Sequence, residues 1–86
     1  MKVDISIVNE TENYIFYEEV ENWDYCENEK DVYHAAKKEY GKCISKVYIN
    51  NSVGKAQHIG WSFQKKCKYD DTNDEYIQTA WICPIK

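Results

Sequence analysis

At 86 residues, with 43% hydrophobic and 30% charged, the chain falls in the globular range and is too short for a second independent core, so residues 1–86 read as one domain. The net charge of -4 conceals a segregation: residues 1–40 carry four lysines against eleven acids, whereas residues 41–69 carry six lysines and no acid. Every basic residue is a lysine, which removes the bidentate guanidinium fork most used to read guanine edges, and no apolar run approaches the roughly 18–20 residues of a membrane-spanning helix.

In chain order, Val3, Ile5 and Ile7 alternate with polar residues, the period-two signature of a half-buried strand. A polar stretch over 9–13 and the aromatic, β-branched run from Tyr14 to about Glu21 complete a hairpin. From Asn28 the period changes: Val32, Ala35, Ala36 and Tyr40 recur at helical spacing, with Lys30, His34, Lys37 and Lys38 opposite. Asn28 suits the N-cap, acids lead the first turn, lysines fill the last, and Gly41 can take a left-handed terminating conformation.

Residues 43–49 read as a third strand, and 50–54 as a turn. A long fourth strand sets Ile59, Trp61, Phe63 and Cys67 on one face and His58, Gly60, Ser62, Gln64 and Lys66 on the other. After a polar turn over 70–74, a fifth strand carries Ile77, Trp81 and Cys83 on one face with Tyr76, Ala80 and Ile82 on the other; Pro84 stops it or marks a sheet edge. The expectation is an α+β fold of order ββαβββ, a mainly antiparallel five-stranded sheet with one helix packed on it. Such a sheet is about 20–25 Å wide and a helix about 10 Å across, so the helix cannot cover it; either the sheet coils around the helix, or part of the aromatic face stays open for a partner or a homodimer.

Asp4 interrupts the first apolar stretch, so no signal peptide is expected, and the cytoplasm is the expected compartment. Reduced thiols follow from that compartment, and Cys43, Cys67 and Cys83 share parity with apolar neighbours, as small buried hydrophobes do. Zinc is a poor fit, because every cysteine stands alone rather than in a close pair, and no cofactor is expected. Cys26, just before the helix, is the one thiol with an electrostatic reason for a lowered pKa, although no motif accompanies it. His34 reads as a solvated helix residue and His58 as a weak binding candidate on an open sheet face; Glu18-Glu19 and Asp70-Asp71 read as solvated charge rather than as an acid–base pair. No catalytic residue is assigned.

Two binding surfaces compete. The acidic half, above all Glu18, Glu19, Glu21, Asp24 and Glu27 together with Glu10, Glu12, Glu29 and Asp31, offers a negative face to a basic protein partner. The alternative is a nucleic-acid platform on 42–69, where Lys46, Tyr48, Lys65, Lys66 and Lys68, with Lys42, Lys55, Trp61, Phe63 and Tyr69, interleave lysines and aromatics.

The segments Tyr33-His-Ala-Ala-Lys-Lys-Glu-Tyr-Gly41, Gly60-Trp-Ser-Phe-Gln-Lys65, Tyr69-Asp-Asp71 and Tyr76-Ile-Gln-Thr-Ala-Trp81, about half of the chain, resemble small bacteriophage and mobile-element proteins that have no assigned chemistry. The resemblance implies a context rather than a site: a small acidic phage protein that binds a host protein, inhibition of a host defence system among the roles. It assigns a function to no residue.

Overall fold

A computed structural model describes residues 1–11, 14–50, 53–54 and 56–85. Glu12, Lys55 and parts of the expected turns at 9–13 and 50–54 lie outside them. The elements are β1 (Lys2–Glu10), β2 (Ile15–Asn22), α1 (Glu29–Tyr40), β3 (Lys42–Asn50), β4 (Ala56–Lys68) and β5 (Glu75–Ile85). All five strands form one antiparallel sheet in the order β2-β1-β5-β4-β3, which is the expected ββαβββ α+β fold. The chain builds one edge as a hairpin, crosses through α1 to the far edge, and returns strand by strand until β5 closes the centre.

The helix begins where its cap dictates. Asn28 is extended, its Oδ1 accepts from the Asp31 N–H at 3.0 Å, and Glu29 and Asp31 occupy the positive end of the dipole. It stops at Gly41, where φ is 97°, with ψ at -144° rather than the expected left-handed helical value. A Cβ there would lie 2.7 Å from both the Gln64 carbonyl oxygen and Lys65 Cβ, so the helix end and β4 approach as closely as they do only because the residue is glycine.

Strand pairing sorts the sheet into two faces. On the helix side, one row runs Tyr17, Ile7, Ala80, Phe63, Cys43 across the five strands, and the next runs Glu19, Ile5, Ile82, Trp61, Lys46. Val3, Ile5, Ile7, Phe63, Ala80 and Ile82 are buried there with Val32 and Ala36 of α1 and with Trp23 and Cys26 of the segment leading into it. The other side has rows Phe16, Val8, Thr79, Gln64, Lys42 and Glu18, Ser6, Trp81, Ser62, Ser45, and no element packs on it among the described residues. So α1 lies over β4 and β5, and β2 is exposed along all eight residues.

Three sequence expectations are corrected by these faces. Only Cys26 is buried; Cys43, Cys67 and Cys83 are half-exposed, because Cys43 sits on an edge strand, Cys67 near the sheet's end, and Cys83 on the open side. His58 does not lie opposite Trp61, since the register shift between Val47 and Tyr48 inserts one residue into β4 and swings His58 to the Trp61 side, ring centroids 5.1 Å apart. Pro84 lies inside the central strand, although the ladder to β4 runs only as far as Ile82, so proline occupies a stretch flanked by β1 alone and is locally at an edge.

Gly60 is the tightest point in the sheet: a Cβ would lie 2.2 Å from the Ile82 carbonyl oxygen and 2.7 Å from Cys83 Sγ, whereas at Gly54, with φ of 77°, it would meet nothing within 4 Å. Urea unfolding should therefore show Gly60→Ala losing about 3 kcal/mol or more by forcing β4 from β5, against about 1 kcal/mol of backbone strain for Gly54→Ala. Equal losses would mean that the close approach at Gly60 relaxes freely.

Candidate functional site: an acidic aromatic cleft between β2 and α1

Because β2 alternates, Tyr17, Glu19 and Glu21 point to the helix side and Phe16, Glu18 and Val20 to the other. Since α1 sits over β4 and β5, the helix side of β2 is left as one wall of a cleft. The cleft has a volume of about 710 Å³ and is lined by Glu21 of β2, by Trp23 and Tyr25 of the connection, and by His34, Ala35, Lys38, Glu39 and Tyr40 of the helix.

Its aromatic wall is fixed. Trp23 is buried, its backbone N–H donates to the Met1 carbonyl oxygen at 2.8 Å, and its indole Nε1 donates to Glu21 Oε2 at 2.7 Å. Tyr25 stacks on Trp23 with ring centroids 6.0 Å apart and planes 17° from parallel, and is itself 71% exposed. A broad ring stacked with offset on a buried indole and open to solvent is an accessible aromatic contact surface.

The electrostatic character is read from the phenols. Tyr40 is pushed up to about 12, first by burial and then by the charges of Glu21, Tyr17, Glu39 and Glu19. Burial raises Tyr17, and Glu19 and Glu21 raise it further; Tyr25 is raised by burial, then by Cys26, Glu21 and Glu39. Burial is the first cause for all three tyrosines and Glu21 adds to it in each; the cleft lining itself carries Glu21 and Glu39 against Lys38, a net negative charge. It would disfavour an anion and favour an ammonium or guanidinium group.

The acidic residues read from sequence are thus only partly brought together. Glu21 lines the cleft and Glu19 stands on the same face of β2 beside it, Glu18 faces away across the sheet, Asp24 is exposed in the turn, and Glu27 is exposed at the helix start, where its N–H donates to Asp31 Oδ2 at 3.1 Å. Sequence reasoning missed Tyr17, Tyr25, Glu39 and Tyr40. The signal for part of this was present, since strand parity applied to Tyr17-x-Glu19-x-Glu21 places all three on one face.

The basic set divides as well: Lys46 pairs with Trp61 on the helix side, and Lys65 donates to the Glu39 carbonyl oxygen at 2.8 Å, whereas Lys66 and Lys68 point to the open side. Tyr48 is 54% exposed and stands 5.7 Å from His58, in a row continuing through Trp61 to Tyr33. His58 Nε2 donates to the Gly60 carbonyl oxygen at 2.6 Å, which ties the ring to its own bulge. Burial pushes the Cys26 thiol up and Asp31 adds to the effect, together outweighing the Met1 ammonium, which lowers it. Among the described residues no three His, Cys, Asp or Glu side chains converge on a metal position, and no helix is long and apolar enough to cross a membrane. Compared with models of protein families, with curated proteins and with solved structures, the chain matches none.

Tyr40 gives a pH test. A folded-state pKa raised above the ordinary 10 means a contribution to stability that is complete below pH 10 and is lost as pH rises toward about 12. Tyrosinate absorbance should resolve one late-ionising tyrosine that disappears in Tyr40→Phe and ionises earlier in Glu21→Gln. An unchanged titration in Glu21→Gln would show that the acid does not act on Tyr40.

Proposed function

We propose that the chain is a non-enzymatic binding protein whose partner is a host protein that offers a basic side chain or short basic segment to the cleft between β2 and α1. The observation that carries this reading is that Glu21 and Glu39 line one cleft with Trp23, Tyr25 and Tyr40. A lysine or arginine lays its aliphatic stem on Tyr25 and Trp23 and brings its charge to the carboxylates, combining cation–π attraction, worth about 0.5–2 kcal/mol, with charge-assisted hydrogen bonds. The cleft volume lies in the range of about 300–1,000 Å³ typical of ligand sites and leaves room for flanking backbone. A Cys26 thiol held above its ordinary pKa favours binding over thiol chemistry. The mobile-element resemblance makes a component of a host defence system the first partner to seek.

A second reading rests on the Tyr48, His58, Trp61, Tyr33 row beside Lys46, an aromatic track with a cation at its edge that suits single-stranded nucleic acid. Here Tyr48→Ala should weaken retention of a single-stranded oligonucleotide about tenfold at low salt, with a steep salt dependence; no retention at low salt removes this reading.

For the main reading, the tagged protein should retain one host protein from a bacterial lysate with or without nuclease. The variant carrying Glu19→Lys and Glu21→Lys should bind that protein at least about tenfold more weakly, and Asp71→Lys, in the distant turn between β4 and β5, should bind it unchanged. If both variants bound alike while circular dichroism remained native, the cleft would not be the contact.

A further inference from the structure

The side of the sheet away from α1 is uncovered, and its charge is arranged in a way that selects an occupant. Toward one edge lie Asp4, Glu10 and Lys2 on β1 with Glu18 on β2, a net negative set; toward the other lie the cations Lys66 and Lys68 on β4 and Lys42 on β3, with Glu75 on β5 between them. Between them, Phe16, Val20, Ile77, Trp81 and Val47 form the apolar content around a Val8 that its neighbours already bury, with Phe16 50% and Val20 61% exposed. Trp81 sits on β5, the middle strand of five, at the centre of the face.

From this placement we infer that the open face is a homodimer interface, in which two copies stack their sheets about a twofold axis running parallel to β5. That operation keeps height along the strands and exchanges the edges. Trp81 meets Trp81 near the axis, Val20 of one copy lies over Val47 of the other, and Glu10 lies over Lys66, because Glu10, Ile77 and Lys66 stand in one row across β1, β5 and β4. These three line a shallow depression of about 310 Å³ with Glu75 and Tyr76. Glu18 comes within a row of Lys42 of the other copy. The Lys66 stem is long enough to absorb the roughly 30° between aligned sheets packed about 10 Å apart. The other in-plane twofold, perpendicular to the strands, stacks β2 on β2, lays the net negative edge on itself and brings Glu10 toward Lys2 rather than Lys66. Charge reversal at Lys66 therefore distinguishes it from the parallel axis, which keeps both Glu10–Lys66 pairs against one Glu75–Glu75 approach.

The chain exposes 6204 Å², whereas a compact monomer of 10.3 kDa exposes about 5,400 Å². The excess, about 800 Å², belongs to the whole flat body, of which the open sheet face is one part. The radius of gyration, 14.3 Å against about 12 Å for a compact 86-residue domain, and extents of 48 × 31 × 20 Å describe the same flat body. The two clefts remain on the outer sides of the dimer, so the interface forms whether or not the cleft binds a basic partner, and where it does the dimer is bivalent.

Sedimentation velocity on the full chain at about 1–100 µM reads the result. The wild type should sediment at twice the chain mass at the upper end. Glu10→Lys alone or Lys66→Glu alone should weaken the dimer about tenfold or more, since each change puts like charges in contact twice. The double exchange Glu10→Lys with Lys66→Glu should restore it to within about threefold. Both positions are exposed, so circular dichroism should remain native throughout. A monomer at every concentration overturns the inference and leaves the face to a different protein; a dimer indifferent to both reversals, or one not restored by the exchange, overturns this axis.

Discussion

A single helix of 12 residues, about 10 Å across, packs on a sheet of five strands about 20–25 Å wide, and most of what is distinctive in this molecule follows from that mismatch. With α1 centred over β4 and β5, the core closes around Phe63, Ile5, Ile7 and Ile82, and among the described residues no element packs over β2. One flank of the helix then becomes an acidic aromatic cleft against β2, the other an aromatic row beside β3, and the reverse of the sheet stays open. A second helix would have filled one of these spaces, as larger α+β domains do.

The connectivity turns a sequence asymmetry into a spatial one. Both hairpin strands at one edge come from the acid-rich part of the chain, the helix carries the chain across, and β3 and β4 at the far edge come from the stretch with six lysines and no acid. The two edges lie about 20 Å apart, more than twice the roughly 8 Å Debye length at physiological salt, so each acts on its own surroundings with little cancellation by the other. A net charge of -4 therefore describes neither edge. A cation approaching β2 meets a negative surface, and an anion approaching β3 a positive one.

How much of this was legible in the sequence depended on whether the signal was local. The helix could be read because its cap, its dipole-matched charges and its terminating glycine are all set by neighbours within four residues, and Asn28 Oδ1 bonds the N–H three residues on as the spacing implied. Strand parity correctly grouped Val3 with Ile5 and Ile7, and Ala80 with Ile82. It failed at His58, because a bulge in β4 adds a residue whose effect on facing is invisible until β3 pairs with it. The candidate site suffered from the same limit: Glu18, Glu19 and Glu21 look like one acidic run, and only the pairing of β2 with β1 shows that Glu18 is separated from the other two by the thickness of the sheet. Tyr40 and Glu39 reach the cleft from a helix whose position over β4 rather than β2 depends on the close approach at Gly41, a tertiary fact with no sequence period of its own.

The placement of the cleft has an energetic consequence. A chain of 86 residues has a total stability on the order of 4–13 kcal/mol, and β2, held by β1 alone and exposed along its whole length, is the strand least able to draw on the core. Yet β2 supplies Glu19 and Glu21, so the wall that carries the charge is also the wall most easily opened. A ligand that joins Glu21 to Glu39 would tie that edge strand to the helix across a gap the apolar core does not bridge. At a hundredfold excess over its dissociation constant such a ligand adds about 2.7 kcal/mol, a large share of the total for so small a domain. Binding at this cleft would therefore be coupled to completion of the fold at its weakest edge, because Glu21 sits on the strand that packing leaves unfinished.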